Sequence, residues 1–167
     1  MHRLGLRSAQ LSAHNWTSNF ADSCCSTPKN GGLNERGRAW VREMNRLGMV
    51  INVSHASDAA IEQAIDVSSD PVVATHHGLR SVNDIPRNMP EALMKKLAAK
   101  GGVFGFQLGN EFHNRKAFDW VTAHRGKAFW DTSAILQRGP LPIAEIDKLV
   151  APQFPMKPAE IPMDVRL

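Results

Sequence analysis

The sequence predicts an α/β fold of consecutive strand–helix units around a parallel sheet, and three observations carry that prediction. Short apolar runs rich in β-branched residues alternate with segments whose apolar residues recur at helical spacing. Two of those runs stop at a histidine: Met49-Val50-Ile51-Asn52-Val53-Ser54-His55 and Pro71-Val72-Val73-Ala74-Thr75-His76. Cap and turn residues stand where one element must give way to the next. A β-branched run that closes on a metal-binding side chain is how a parallel sheet presents reactive groups at one rim, so the pattern points to a metal-dependent enzyme.

Leu4 to His14 reads as a first strand, weakened by its polar residues. It runs into a loop from Asn15 to Leu33 that carries Pro28 and Asn30-Gly31-Gly32 and is long enough for a binding role. Asn34 caps a helix in which Trp40, Met44 and Leu47 fall at helical spacing, and Gly48 ends it in a left-handed conformation. After the strand to His55, Ser57 caps a second helix with Ile61, Ala64 and Ile65 on one face, and Pro71 opens the strand to His76. The loop from His77 to Met89 leads to a third helix with Pro90 at its first position, Glu91 in its first turn, Lys95 and Lys96 later, and a Gly101-Gly102 stop. Val103 to Leu108 is a fourth strand. Phe118 to Trp130 reads as an aromatic-rich helix and Ile143 to Val150 as a short one, while the tail over 151–167, with Pro152, Pro155, Pro158 and Pro162, reads as irregular.

At 167 residues, 43% hydrophobic and 22% charged, the chain suits one globular domain over 1–167. The net charge of +4 comes from arginines and lysines that are scattered rather than massed, which speaks against a nucleic-acid partner. No segment approaches the roughly 20 apolar residues of a membrane helix. The opening Met-His-Arg-Leu-Gly has no signal-peptide core, and the compartment stays open. Cys24 and Cys25 are neighbours, so they can neither staple a loop nor form a Cys-x-x-Cys site.

Imidazole binds zinc through a neutral ring nitrogen, and two such ligands on neighbouring strands would lie close together at one rim. The 21 residues from His55 to His76 suit one intervening helix. His77 is adjacent to His76, and in a strand the two face opposite sides, so at most one shares a site with His55 easily; composition does not choose. Arg87, eleven residues after His76, is either a fork for a substrate carboxylate or an ordinary surface arginine. His14 can hydrogen-bond a carbonyl or oxyanion, or be structural. Asp22 and Asp58 read as a turn residue and a first-turn helix residue, and Trp16, Trp40, Trp120 and Trp130 as packing.

Several motifs in order, Ala13-His14-Asn15-Trp16, Asn19-Phe20-Ala21-Asp22-Ser23, Gly32-Leu33-Asn34-Glu35-Arg36-Gly37, Val41 to Met49, Val53-Ser54-His55-Ala56-Ser57 and Pro86-Arg87-Asn88, resemble the renal, or membrane, dipeptidase family over about residues 8 to 108. The resemblance implies a (β/α)8 TIM-like barrel of the metal-dependent hydrolase type, a binuclear zinc site and a dipeptide substrate. It implies that His55 and His76 are the histidine ligands of one zinc, and so chooses His76 over His77. It also implies that His14 contacts the substrate near the scissile bond as a catalytic residue, and that Arg87 binds the dipeptide's terminal carboxylate. The family's His-x-Asp pair, bridging glutamate and last-strand aspartate are not found here. The expectation is therefore a partial barrel, lacking the first strands and the last, that supplies ligands for one zinc of two. A noncatalytic remnant or one part of a split enzyme acting by association, a homo-oligomer included, and a related barrel hydrolase acting on another amide such as a β-lactam, are the alternatives.

Overall fold

Four short strands pair side by side in chain order, all parallel: β1 (Ser8–Gln10), β2 (Val50–Asn52), β3 (Val73–His77) and β4 (Val103–Phe106). Helices α1 (Glu35–Arg46), α2 (Asp58–Val67) and α3 (Glu91–Ala99) connect them, and this is the α/β fold with a parallel sheet that the alternation predicts. The computed structural model describes residues 1–12, 14–123, 142 and 144–145. Met1–Leu108 forms one compact unit and Gly109–Leu167 another. In the second, a short 3-10 turn over Asn110–Phe112 precedes α4 (Arg115–Ala123), which packs on it. The expected helix from Phe118 thus begins earlier, at Arg115, because Asn114 Oδ1 accepts from the backbone N–H of Lys116 and Ala117. Its continuation to Trp130, nearly all of the segment Ile143 to Val150, and the proline-rich tail lie outside the described residues.

The helix boundaries follow from local chemistry. Asn34 Oδ1 accepts from the backbone N–H of Gly37 at 3.1 Å, and Ser57 Oγ accepts from that of Ala60 at 3.2 Å, so each cap satisfies an otherwise orphaned donor. Gly48 ends the α1 turn at φ 66, as its lack of a Cβ permits. Gly37 is required for a different reason: a Cβ there would collide with the carbonyl oxygen of Phe20, which crosses over the first turn. Pro90 stands at the cap, with Glu91 the first helical residue, rather than inside the helix.

The strands are shorter than their apolar runs. The expected strand from Leu4 to His14 shrinks to Ser8–Gln10, since His2–Leu4 forms a 3-10 turn that Gly5 closes at φ 97, leaving Leu4 86% exposed. β2 stops at Asn52 because its own Oδ1 takes the backbone N–H of Ser54 and turns the chain out of the ladder. β4 likewise ends at Phe106.

Ile51, Val53, Val72 and Ala74 from the strand segments meet Val41, Met44, Ile61, Ile65 and Leu97 from the three helices in one buried cluster. The buried stripe of α1 is Gly37, Val41 and Met44, so Trp40 sits on its flank, 44% exposed and stacked on Phe20 with ring centroids 4.8 Å apart. Ile61 is 1% exposed at the centre of the cluster. Ile61→Ala is expected to lower the unfolding free energy by about 2–5 kcal/mol through lost burial and an unfilled cavity. Arg46→Ala, which removes an exposed pair with Glu43, is expected to leave it nearly unchanged. Chemical denaturation of the two variants checks both outcomes.

Candidate active site at the strand carboxyl ends

The chain leaves each of the first two strands through a histidine in a left-handed conformation: His14 at φ 56 after β1, and His55 at φ 66 after β2. Among the described residues these are the non-glycine positions with positive φ. Histidine visits this region more readily than bulkier or β-branched residues, yet the conformation still costs about 1–2 kcal/mol. The loop between β1 and α1 holds both in place. Ser23 Oγ donates to the carbonyl of His14 at 3.2 Å, and the backbone N–H of Cys24 donates to the carbonyl of His55 at 2.9 Å.

Asp22 organises that loop. Its Oδ1 accepts from the backbone N–H groups of Lys29 and Asn30 at 2.8 and 2.9 Å and from Asn30 Nδ2, and its Oδ2 accepts from the N–H of Gly32 at 2.8 Å. Burial alone would raise the Asp22 pKa, but these hydrogen bonds together outweigh it and hold the carboxyl below its ordinary value. Asp22 is thus more than the turn residue read from sequence. Cys24 and Cys25, in the same loop, are joined to each other and close no larger ring.

His55 Nε2 and His76 Nε2 face each other at 2.9 Å. Behind them, His55 Nδ1 meets Asn15 Oδ1 at 2.9 Å and His76 Nδ1 meets Thr75 Oγ1 at 2.7 Å. The ring of His14 lies over His55 with centroids 4.3 Å apart and is the most open of the set. A bulge between Ala74 and His77 breaks the β3 register. It accompanies a division of labour: His76 meets His55, while His77, 1% exposed, packs against Phe104.

Arg87 is buried, 8% exposed, rather than on the surface. Its Nη2 donates to the carbonyl of His76 at 2.7 Å, and Nη1 approaches Nδ1 of His77 at 3.3 Å. The loop that carries it is tied down by Arg80, whose Nη2 reaches Asp58 Oδ1 at 2.9 Å and the carbonyl of Asn88 at 2.7 Å. Burial, then the field of Arg87, pushes His55 and His77 down to about 3 and lowers His76 and His14 as well. Burial brings Arg87 itself to about 10, so at neutral pH it stays cationic among neutral imidazoles.

His14, His55, His76 and Arg87 are therefore together in one cluster. Two neutral imidazole nitrogens aimed at one point form a donor set suited to a borderline divalent ion such as zinc. On a tetrahedral zinc they would stand about 3.3 Å apart, so the observed pair needs to open by only a few tenths of an ångström. Among the described residues no group of three or more His, Cys, Asp or Glu side chains is placed to hold a metal ion, so these two imidazoles alone would fill only part of a coordination shell. No role for Asn15 or Thr75 is read from the sequence: Asn15 reaches His55 across 40 residues of chain, and Thr75 reaches the ring of the residue that follows it.

A parallel α/β sheet with imidazoles and a buried guanidinium gathered at the carboxyl ends of its strands is the arrangement by which (β/α) barrel enzymes present their active-site groups. The chain belongs to the membrane dipeptidase family, peptidase family M19, whose model matches residues 1–127. It is 40% identical over 105 residues to dipeptidase verJ of Clonostachys rogersoniana, covering 62% of this chain and 27% of that one. Mouse dipeptidase 3 is 44% identical over 72 residues, covering 43% and 15%. The crystal structure of the probable dipeptidase PvdM from Pseudomonas aeruginosa superposes with a TM-score of 0.64 at 25% identity, covering 89% of this chain and 42% of that chain. The chain thus spans about a quarter of the length of the first of these relatives.

Two outcomes are expected at this site. Asp22→Asn places an NH2 group against backbone donors and is expected to destabilise the protein by about 1–3 kcal/mol at neutral pH. Because the native pKa of Asp22 is lowered, its contribution is full above the unfolded value of about 3.9 and is lost as pH falls through the native one. The gap between wild type and variant in urea melts is therefore expected to close on acidification below about pH 4. Separately, His55→Gly is expected to be more stable than His55→Ala by about 1 kcal/mol, since only the glycine relieves the left-handed backbone.

Proposed function

We propose that this chain contributes to the active site of a zinc-dependent dipeptidase, with His55 and His76 as ligands of one zinc ion, His14 as the catalytic contact to the substrate, and Arg87 as the clamp on its terminal carboxylate. The observation that carries the reading is the 2.9 Å approach of His55 Nε2 and His76 Nε2, both kept neutral, beside a buried cationic arginine. Zinc bound there would supply an acidified water and a Lewis acid for the peptide carbonyl.

The remaining work falls to the chain's own side chains. His14 is the open imidazole of the cluster and neutral at working pH, so its ring N–H can donate to a carbonyl oxygen as negative charge develops on it. Arg87 offers a fixed guanidinium, anchored to the His76 carbonyl, to a carboxylate in a site of low exposure. A buried cation that pairs with a free carboxyl end selects short peptides and orients them, which converts binding into reactive geometry. The loop built on Asp22 contributes by keeping His14 and His55 in register with each other.

Calorimetry with zinc on the wild-type chain and on a His55→Gly/His76→Ala double variant tests the ligand assignment. The double variant is expected to lose the uptake, and equal uptake by both proteins would overturn it. In an enzyme completed with the missing metal-ligating strands, Arg87→Ala is expected to cost about 1.5–3 kcal/mol in kcat/KM for dipeptides with a free carboxyl terminus and little for amidated ones. Equal slowing of both substrates would remove the clamp role.

A further inference from the structure

Arg87 sits in a loop closed at its base by backbone bonds: the N–H of Arg80 donates to the carbonyl of Met89, and the N–H of Met89 to that of Gly78, each at 3.0 Å. Within the loop, the N–H of Asn88 donates to the carbonyl of Ile85, and Asn88 Nδ2 to that of Asn83 at 2.9 Å. These bonds fold the loop, but they do not fix where it stands against the neighbouring elements.

The Arg80 side chain makes that connection. Its Nη1 and Nη2 grip Oδ2 and Oδ1 of Asp58 as a two-pronged fork, and Nη2 also donates to the carbonyl of Asn88 at 2.7 Å, with that of Pro86 at 3.4 Å. Nη2 carries two hydrogens, so one serves the carboxylate and the other the two carbonyls. Pro86 and Asn88 are the residues on either side of Arg87. Asp58 stands in the first turn of α2, shortly after His55, and that turn is held in its own right because the N–H of Ser57 donates to the carbonyl of Asp22 at 2.9 Å. One guanidinium thus joins the backbone flanking Arg87 to the helix start that follows His55. With side chains 25% and 44% exposed, the Arg80–Asp58 pair is modest in strength, and what it supplies is the fixed geometry of a bidentate fork.

We infer that Arg80, locked in place by Asp58, is a positioning residue that sets where the Arg87 guanidinium stands in the cluster, and through it how well the site tells a free carboxylate from an amide. The hydrogen bonds of Arg80 go to Asp58 and to the loop backbone, so it acts on Arg87 through the chain rather than by touching it. Placement of the guanidinium stands on this geometry alone, and only its effect on carboxylate selection rests on the clamp reading of Arg87.

Two substitutions separate position from charge. Arg80→Lys keeps the positive charge but replaces the planar fork with a single ammonium, which cannot hold both carboxylate oxygens and the carbonyls in one geometry. Asp58→Asn removes a negative charge and leaves the fork half-matched. If the pair acted only through its field, the first change would leave carboxylate binding as it is and the second would tighten it. Positioning requires both to weaken it.

Spectra of the full chain, labelled with 13C and 15N at arginine and metal-free at neutral pH, read the Arg87 guanidinium directly, its signals being identified by their loss in Arg87→Lys. Wild type is expected to show separate Nη1 and Nη2 signals, as a held group does, and each variant to shift and merge them while the buried Ile61 methyl signals stay in place. Arg87 signals unchanged in either variant overturn the placement, and if Arg80→Lys disturbs Ile61 as well, Asp58→Asn decides alone. Alanylalanine and its carboxyl amide are then titrated into the same samples. Each variant is expected to lose at least about fivefold in affinity for the free dipeptide and little for the amide, with no further loss when combined with Arg87→Ala. Tighter binding of the free dipeptide by Asp58→Asn, or a further loss in the Arg87→Ala background, shows that the pair acts by its field and overturns the inference. Merged Arg87 signals in variants of a protein that binds both dipeptides alike support the placement and remove the clamp reading of Arg87.

Discussion

The carboxylate of Asp22 fixes the loop on which the rest of the site depends. Four hydrogen bonds from Lys29, Asn30 and Gly32 fold the chain back on itself around one buried charge. The residues at and beside that charge then bind outward: the Ser23 hydroxyl to the carbonyl of His14, the Cys24 N–H to that of His55, and the carbonyl of Asp22 to the N–H of Ser57 at the start of α2. Two left-handed histidines, each costing about 1–2 kcal/mol, are sustained by this single anchored loop. Their conformations, the α2 cap and the loop therefore stand or fall together.

Electrostatics within the cluster pull in two directions. Burial, and after it the field of Arg87, keeps the surrounding imidazoles neutral, which leaves each a ring lone pair to donate. The same positive field repels an incoming cation, and it is strongest where solvent is excluded. An anionic ligand lying between guanidinium and metal would relieve that repulsion, so in the proposed reading a substrate carboxylate and a metal ion support each other's binding. The neutrality of His77 matters here too, since a second cation against Arg87 in a site 1% exposed would carry a heavy desolvation cost.

What the sequence discloses follows the range over which each interaction acts. The Asn34 and Ser57 caps and the Gly48 stop are local, and all three lie where the pattern puts them. The first strand is a matter of pairing with β2, which no pattern within Leu4 to His14 encodes, and only Ser8–Gln10 joins the sheet. The cluster of His14, His55, His76 and Arg87 is anticipated by strand ends and by family motifs, whereas from the residue alone Arg87 reads first as a surface arginine. Asn15, Asn52 and Thr75 escape notice because their partners are set by register between strands and by a turn 40 residues away. Those are long-range facts written in no single segment.

If the pair binds zinc as proposed, the backbone at His55 also filters which metals could be engineered into it. A left-handed position admits aspartate and asparagine along with histidine and glycine, but resists residues with a crowded Cβ. A ligand swap at that site is thus cheapest toward a short carboxylate, which favours hard ions such as manganese or magnesium over softer ones. His76 lies within a strand and carries no such restriction. Directed evolution of metal preference would accordingly search narrowly at one histidine and widely at the other, an asymmetry imposed by a single torsion angle.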